Sequence, residues 1–582
     1  MNAAVPEPLT QRQRTILWCV ALVCAASRFL AIAKSLWDWD EALLTLGMRE
    51  YDVEVHHPHP PGFPVYIGLA KLVRVVAASD FRALQTVNVI AALLVFPALY
   101  FFARSLRFSF SISVMAAALF ASFPNVWYFG GGAFSDVPSI VLVLFAVALL
   151  LRGAEDRNAY WLGTLLLALA IGIRPQNILV ALLPGLYASS RRRPHEVLIA
   201  LLIGVVVVGA AFGGAIYATG SFDQYMHSVR DHGQYIARVD SWRNPERPPM
   251  WRLADRFFIK QYQLPALGFI ATIFVLVSLA GSIRERSRPM LFNALTFVPI
   301  ALFAWAMLDR YSISRFSIAY QPMFALLLAD GIARAAGKRA PLLAGALIAA
   351  FAIFTIPALN VVRGGVAPSL QAAAAVTRHV DVRHEQLFVG HTMSKFIDVV
   401  APQLPYIRIV DDRAMPLSAT RPAWLLAEIT ETAPSGLLFR RERGNLWNIA
   451  RHHYFEIKLQ RVEAGAQFVD GWYEGETYQL WEWRWMQRRS RTILPPAGGR
   501  TMLRMTLTPP PELIAQNAMI AVTLNGQLLE TFRAGGEIRR DYRVKPASAG
   551  RPNVLELAID KSAMHEGREV GLKLQDLGWG PA

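Results

Sequence analysis

The sequence is poor in charged side chains and in cysteine. Of its 582 residues, 18% are Asp, Glu, Lys or Arg and 54% are hydrophobic, and the mean hydropathy is +0.31. Soluble proteins carry about 25% charged residues, so this composition excludes an ordinary soluble enzyme. The two cysteines, Cys19 and Cys24, both lie in the first apolar stretch, which excludes a disulfide framework and a CxxC metal site.

The sequence also lacks a basic domain, although its formal net charge is +16. The arginines stand in short runs between apolar stretches, a pattern that does not fit a nucleic-acid-binding surface. Such runs are typical of the cytoplasmic loops of membrane proteins. We therefore expect the lipid bilayer, and no nucleic acid, as a partner of the chain.

Apolar stretches long enough to cross a bilayer recur through the first 360 residues. A span needs about 20 apolar residues, and on that rule the sequence predicts about eleven crossings. Arg28 within the first stretch argues against a cleaved signal peptide. The predicted spans are 15–34, 86–103, 110–129, 136–151, 196–217, 264–282, 290–308, 316–334 and 341–361, with two shorter ones between Tyr160 and Ser190.

The arginine-rich connections predict which side of the membrane each loop faces. They contain Arg104/Arg107, Arg152/Arg157, Arg191 to Arg193, Arg284/Arg286/Arg288 and Arg334/Lys338/Arg339. By the positive-inside rule these loops and the N-terminus are cytoplasmic. An odd number of crossings then places everything after Arg363 on the outside. We expect a multi-pass protein of a bacterial inner membrane with a periplasmic C-terminal part.

Three regions follow from these patterns. Residues 1–363 are predicted to form the membrane domain. Residues 364–465 mix short strands with helical runs and indicate a small extracytoplasmic α/β region. Residues 466–582 alternate apolar and polar positions, with a hairpin signal at Asn525-Gly526, and predict a β-sandwich. The predicted fold class is therefore a mainly α polytopic membrane protein with a C-terminal α/β plus β-sandwich region.

The strongest local motif is Trp37-Asp38-Trp39-Asp40-Glu41, directly after the outer end of the first span. Carboxylates contribute little to membrane orientation, so their clustering needs another reason. At the mouth of a membrane cavity, a carboxylate can act as a general base toward a hydroxyl or an amine. The same residues can instead cap the helix that follows.

Two further polar motifs face the same predicted side. The loop His56-His57-Pro58-His59 places three histidines in four positions. Histidine is a zinc ligand, but histidine clusters in loops are more often polar contacts. We therefore expect no metal, with a bound divalent metal as the alternative. Asp136, after Ser135, opens the fourth span, where it also fits an ordinary helix cap.

Arginines appear where topology does not explain them. Arg310 and Arg315, with Tyr311 between them, lie in a loop predicted to be outside, against the positive-inside bias. Arg174 interrupts the short apolar hairpin at membrane depth, where a charge is tolerated only inside protein or a watery cavity. Guanidinium groups bind phosphate through paired hydrogen bonds and can stabilise a phosphate leaving group. Anchoring to lipid headgroups is the alternative for the outer arginines.

Over residues 15–335 the chain resembles the GT-C superfamily, in particular bacterial relatives of dolichyl-phosphate-mannose protein mannosyltransferases and lipid A aminoarabinose transferases. The resemblance rests on Asp40-Glu41, His59-Pro60-Pro61, Ser135-Asp136-Val137-Pro138 and Arg315-Phe316 followed by Pro322, in this order. It implies that Asp40 is the catalytic base and that Arg315 helps to hold the carrier phosphate, with Arg174 resembling an Arg common after the fifth span. Many relatives have Lys where this chain has His59, and Tyr where it has Phe316.

The motifs and the resemblance together predict a membrane glycosyltransferase without a cofactor. It would move a sugar from a polyprenyl-phosphate carrier to a lipid, glycan or protein acceptor on the periplasmic face, with inversion at the anomeric carbon. The predicted catalytic residues are Asp40 and Glu41, and the predicted donor or substrate contacts are Arg315, Arg174, Tyr311, Arg310, His57, His59 and Asp136.

Two alternatives belong to other classes. A transporter or flippase of lipid-linked glycans predicts charges spread through several spans and internal repeats. An O-antigen ligase or polymerase is also membrane-bound and arginine-dependent, but has no evident need for an acidic pair after the first span.

Overall fold

The structure is a computed structural model that describes residues 8–239, 241–244, 249–307, 314–409, 423–428, 436–442, 455–462, 466–478, 481–547 and 551–580. The described residues fall into two compact units, one within Met1–Ala367 and the other within Pro368–Arg441 and His453–Ala582. The predicted boundary at residue 465 stays a prediction.

The first unit is helical, because a backbone in lipid must satisfy its hydrogen bonds within its own segment. Its helices are α1 (Gln11–Arg28), α2 (Trp39–Arg49), α3 (Pro64–Arg74), α4 (Asp80–Leu93), α5 (Val95–Ser105), α6 (Phe110–Ser122), α7 (Pro124–Phe129), α8 (Asp136–Gly153), α9 (Arg157–Ile173), α10 (Ile178–Ser189), α11 (Pro194–Thr219), α12 (Phe222–Val239), α13 (Met250–Ala254), α14 (Pro265–Glu285), α15 (Arg288–Met307), α16 (Ser314–Ser317), α17 (Gln321–Ala336) and α18 (Ala340–Arg363).

Six helical segments of the described chain are long and apolar enough to cross a bilayer, and the bent pair α4–α5 adds a seventh if it is one span. They are Gln11–Ala31, Asp136–Gly153, Pro194–Thr219, Pro265–Glu285, Arg288–Ala306 and Gln321–His379. The last, of 59 residues, contains α17 and α18. The predicted helical membrane domain is confirmed, whereas the predicted number of eleven crossings stays a prediction.

Prolines explain two breaks in the apolar stretches. The predicted span 110–129 is divided between α6 and α7, because Phe123 is extended and Pro124 begins a new helix. A residue before proline is driven out of the helical region. The hairpin between Tyr160 and Ser190 breaks in the same way at Arg174-Pro175. This second break brings the Arg174 side chain out of a regular helix.

The second unit begins with α19 (Pro368–His379) and a five-stranded mixed sheet in the order β2-β1-β3-β5-β4. β1 pairs in parallel with β2 and β3, and β5 is antiparallel to β3 and β4. The helix α20 (His391–Val400) connects β1 to β2. The strands are β1 (Gln386–Gly390), β2 (Ile407–Ile409), β3 (Ala423–Glu428), β4 (Leu437–Arg440) and β5 (Glu456–Val462).

The remaining chain forms an antiparallel β region that branches along β7. One part of β7 pairs with β12 and another with β15, while β6 pairs with β7 on its other side. Apolar side chains from the strands joined to β7 through β12 and from those joined through β15 form one core. The elements are β6 (Gln467–Tyr478), β7 (Trp481–Leu494), β8 (Met502–Thr508), α21 (Pro511–Ala515), β9 (Met519–Leu524), β10 (Gln527–Arg533), β11 (Ile538–Arg543), β12 (Asn553–Ile559), β13 (Ala563–His565), β14 (Arg568–Val570) and β15 (Lys573–Gly580).

The predicted hairpin turn is present at Asn525-Gly526, where both residues have positive φ, 52° and 77°. This conformation joins β9 to β10, and it matches the twist of antiparallel strands. The predicted C-terminal β-rich region is thereby confirmed.

Candidate active site

The acidic side chains at the start of α2 make two kinds of contact: hydrogen bonds that cap the helix, and an ion pair with Arg315. Asp38 is the N-cap residue and accepts a hydrogen bond from the backbone N–H of Asp40, at 2.9 Å. Glu41 completes the capping box by accepting from the backbone N–H of Asp38, at 3.0 Å. The Asp40 side chain instead contacts Arg315. Asp38 and Glu41 therefore cap the helix, while the neighbouring Asp40 directs its carboxylate toward Arg315.

Glu41 is a structural anchor as well as a cap. Its carboxylate also accepts hydrogen bonds from the backbone N–H groups of Trp37, at 2.6 Å, and Ala133, at 2.7 Å. The side chain is 1% exposed. Burial raises the pKa of Glu41 to about 7, while these backbone hydrogen bonds act in the opposite direction. Glu41 thus ties the start of α2 to the loop before α8.

Arg315 and Asp40 form a buried ion pair across 275 positions of the sequence. Arg315 lies on the short helix α16 and is 3% exposed. Its guanidinium stacks on two aromatic rings, with Cζ 5.3 Å from the centre of Phe134 and 5.0 Å from that of Phe316. Because stacking and the ion pair both restrict the guanidinium, Arg315 is held in one orientation.

Asp136 lies between two arginines. Its Oδ2 is 2.9 Å from Arg174 Nη2 and 3.7 Å from Arg315 Nε. Arg174 also donates from Nε to Ser135 Oγ, at 3.1 Å, and lies 5.4 Å from the ring centre of Phe63. A carboxylate at the first turn of α8 is favoured by the helix dipole. The structure therefore brings Asp40, Asp136, Arg174 and Arg315 into one cluster.

A small pocket, open to its surroundings, lies beside Asp136 and Arg174. Its polar lining residues are Asp136, Ser139, Arg174, Gln176 and Asn177, and its apolar lining residues are Ile140, Ile300, Phe303, Ala304, Phe316 and Ala319. A lining that combines charged and apolar side chains suits an amphiphilic ligand.

The histidine loop reaches the same cluster through His59. Burial lowers the pKa of His59 to about 3, with Asp40 opposing this shift and His232, Arg315 and Arg174 adding to it. The imidazole is therefore neutral at physiological pH. The ring of His59 is 5.6 Å from that of His232 on α12, a helix for which the sequence has no specific motif.

The remaining predicted site residues are His57, Arg310 and Tyr311. His57 exchanges backbone hydrogen bonds of 2.7 Å with Asp52, which shape the loop. Arg310 and Tyr311 lie outside the residues that the structure describes. Within the described ranges, no group of three His, Cys, Asp or Glu side chains has a metal-binding arrangement.

Two buried amides that the sequence analysis did not single out hold the loop before α8. Asn88 donates from Nδ2 to the carbonyl oxygens of Phe129 and Gly132, both at 2.7 Å. Gln85 donates from Nε2 to the carbonyl oxygen of Gly131, also at 2.7 Å. A Cβ at Gly131 would lie 1.8 Å from the carbonyl oxygen of Ala31, so the close approach requires glycine. The sequence signal that could have identified Gln85 and Asn88 is the presence of amide side chains in the apolar part of helix α4.

Residues 56–213 match the family model described as dolichyl-phosphate-mannose-protein mannosyltransferase. This segment includes the histidine loop, Asp136 and Arg174, whereas Asp40 and Arg315 lie outside it. The family resemblance inferred from the motifs is thus confirmed for this part of the chain.

Two solved structures are among those that resemble the chain. ArnT from Cupriavidus metallidurans, bound to undecaprenyl phosphate, is 13% identical, with 78% of this chain and 98% of that chain covered and a TM-score of 0.48. The oligosaccharyltransferase of Archaeoglobus fulgidus is 12% identical, with coverages of 72% and 69% and a TM-score of 0.45. No curated protein matches the sequence significantly.

Proposed function

We propose that the protein is a membrane glycosyltransferase that moves a sugar from a polyprenyl-phosphate carrier to a hydroxyl or amine of a lipid, glycan or protein acceptor. The observation that carries the proposal is the buried contact between Asp40 and Arg315. A carboxylate can accept a proton and a guanidinium can bind phosphate, so their contact supports this reaction. The family match over residues 56–213, which contains Asp136 and Arg174, supports the same reaction class.

The proposed reaction is a direct displacement at the anomeric carbon. The acceptor oxygen or nitrogen forms a bond to this carbon while the bond from the carbon to the phosphate oxygen breaks. The bonding electron pair goes to the phosphate oxygen, and Asp40 takes the acceptor proton. Because the acceptor attacks opposite the leaving phosphate, the product has inverted configuration. No metal is required by these steps, since fixed cations stabilise the leaving charge.

Each residue of the cluster has a proposed role in this reaction. Arg315 and Arg174 bind the phosphate, and Asp136 positions both guanidinium groups through contacts of 3.7 and 2.9 Å. We assign Glu41 to positioning, although it was predicted as catalytic, because its described contacts are with backbone N–H groups. His59 is a neutral polar contact for the donor or acceptor.

The pocket beside Arg174 is the proposed route of the lipid carrier. Its Arg174 side chain suits a phosphate, and its apolar lining side chains, which include Ile300 and Phe303 of α15, suit the first isoprene units. A lipid donor that reaches the site sideways from the bilayer explains why the enzyme is built from membrane helices. The arginine-rich loops support a periplasmic site in a bacterial inner membrane.

Donor turnover is the direct test. The purified full-length protein in nanodiscs would be given undecaprenyl-phosphate-linked sugars with membrane lipid, glycan and peptide acceptors, and release of undecaprenyl phosphate would be measured by mass spectrometry. Lipids and glycans of a deletion strain would identify the acceptor that loses its sugar. We expect acceptor-dependent release of the carrier. Movement of intact lipid-linked glycan across the bilayer, without release, would favour the transporter instead.

A further inference from the structure

The pocket beside Asp136 and Arg174 is also lined by Gln176, a residue that the proposed reaction does not use. Gln176 lies in the short 3₁₀ turn Pro175–Asn177, directly after the break at Arg174. The residue is half-buried, and its side-chain amide makes no hydrogen bond to another residue within the described ranges. This amide is therefore available to a ligand.

The other uncharged polar residues of the pocket are already hydrogen-bonded within the protein. Asn177 donates from Nδ2 to Ser139 Oγ, at 2.8 Å, and to the carbonyl oxygen of Ala170, at 2.6 Å. Asn177 is 4% exposed, and these bonds hold the turn against α8 and α9. Adjacent amides thus differ in their contacts: Asn177 anchors the turn, whereas Gln176 lines the pocket without a hydrogen bond to a described residue.

An amide in this place needs a polar partner. The turn interrupts the apolar hairpin of α9 and α10, and the pocket lining also includes Ile300 and Phe303. A polar group in such surroundings is tolerated where it meets water or a polar ligand. Water would satisfy the amide alone, but the neighbouring guanidinium of Arg174 makes an anionic ligand the better partner.

Arg174 and Gln176 together supply donors that suit a phosphate. Arg174 donates from Nε to Ser135 Oγ and forms an ion pair with Asp136 through Nη2. Its Nη1 makes neither kind of contact to a residue that the structure describes. The amide of Gln176 adds two N–H donors and no charge. Hydrogen bonds to a charged phosphate oxygen are stronger than those between neutral groups.

We infer that Gln176 is a ligand of the donor phosphate, with its side-chain N–H donating to a phosphate oxygen beside Arg174. The inference rests on the proposed function and adds a phosphate ligand to it. Because the phosphate stays on the carrier after the sugar leaves, the same contact holds the product undecaprenyl phosphate. Gln176 therefore acts on binding of the carrier phosphate and not on recognition of the sugar.

The first test measures the Kd of undecaprenyl phosphate for the purified full-length protein in detergent. Gln176→Met keeps the length of the side chain and removes the donor. We expect about tenfold weaker binding, the scale of one hydrogen bond to a charged group. Gln176→Glu keeps the shape but adds a negative charge, so it should weaken binding further. Undecaprenol, which lacks the phosphate, should bind wild type and both variants equally.

The matched control is Asn177→Leu in the same turn. It removes the hydrogen bonds to Ser139 and Ala170, so its Tm in the same detergent should fall, because buried polar groups lose their partner. Gln176→Met should keep the Tm of wild type. The comparison separates the loss of a ligand contact from the loss of the turn.

Three results would overturn the inference: an unchanged Kd of undecaprenyl phosphate in Gln176→Met, equal weakening of undecaprenol, or a fall in Tm as large as that of Asn177→Leu. Unchanged binding of undecaprenyl phosphate with slower sugar transfer would place Gln176 at the sugar instead. Each of these results leaves the proposed function standing if wild type releases undecaprenyl phosphate from donors. Absence of donor release by wild type overturns the proposed function itself.

Discussion

Asp38, Asp40 and Glu41 are close in sequence, but their carboxylates do different things. Asp38 and Glu41 accept hydrogen bonds from backbone N–H groups at the start of α2, whereas Asp40 contacts Arg315. Neighbouring side chains on a helix point in different directions, so adjacent acids can be divided between stability and chemistry. Substitutions at single positions can therefore separate an effect on helix stability from an effect on sugar transfer.

For Asp40→Asn we expect normal membrane insertion and a loss of sugar transfer of about 10²-fold or more, the scale of a lost general base. The matched control is Asp38→Asn, which changes a neighbouring carboxylate that caps the helix. Its transfer should fall much less. Turnover would be measured in nanodiscs with polyprenyl-phosphate sugars, and near wild-type turnover of Asp40→Asn would remove Asp40 as the base.

At Arg315, replacement by Ala should reduce use of the polyprenyl-phosphate sugar far more than replacement by Lys. Lysine keeps the charge but loses the fork of N–H groups and the stacking on the rings of Phe134 and Phe316. The measurement is donor turnover at several donor concentrations. Equal activity of wild type and the Ala variant would exclude Arg315 from the site.

His59 links the site to pH-dependent stability. Burial lowers its pKa to about 3, so the unfolded chain, with a pKa of about 6.5, binds a proton between these values and the folded protein does not. The stability contributed by neutral His59 is therefore lost as pH falls through this window. Glu41, with a pKa raised to about 7, acts in the opposite direction, so the comparison must be between variants.

We expect the Tm of wild type minus that of His59→Gln to decrease between pH 7 and pH 4. Thermal unfolding of both proteins in one detergent, at one-unit pH intervals, measures this difference. A difference independent of pH would show that His59 titrates normally in the folded protein.

At the scale of elements, the loop between α7 and α8 determines where Asp136 lies. This loop contains the glycines 130–132 and is held by amides of α4 and by Glu41. Asn88 is 0% exposed and supplies two of these hydrogen bonds. A helix that contributes no side chain to the cluster thus holds the loop that leads to Asp136, more than forty residues later in the chain.

Asn88→Leu removes both hydrogen bonds while keeping a similar volume. We expect a loss of stability of about 1–3 kcal/mol, because buried carbonyl groups lose their partners, together with reduced transfer. The control is Thr86→Ala on the same helix, where an exposed hydroxyl bonds only to the preceding turn. Unfolding and turnover would be measured on both, and unchanged values for Asn88→Leu would show that the loop does not depend on this amide.

At the scale of the whole molecule, the distribution of arginine predicts which side of the membrane each end of the chain faces. The arginine-rich loops predict a cytoplasmic N-terminus and a periplasmic C-terminal region. Alkaline phosphatase fused after Ala582 should therefore be active, because the enzyme folds in the periplasm. A fusion after Arg157 is the matched cytoplasmic control. An inactive C-terminal fusion at normal expression would overturn the predicted topology.

The sequence by itself determined the membrane character, the C-terminal β-rich region and the residue types of the site. These features depend on composition and local rules: apolar stretches are needed where water is absent, and Asn525-Gly526 adopts the positive φ that a tight hairpin needs. The carboxylate at Asp40 and the outward arginine at Arg315 stood out because neither was explained by topology.

Only the tertiary structure decided which of these residues meet. The Asp40–Arg315 pair spans 275 positions, and Asp136 joins Arg174 through a break that a proline makes in the α9–α10 hairpin. Hydropathy records that a helix is apolar, but not which helix packs against it or at what depth its ends lie. The division of Asp38, Asp40 and Glu41 between capping and the site, and the anchoring by Asn88, follow from that packing, because each depends on a partner distant in the chain.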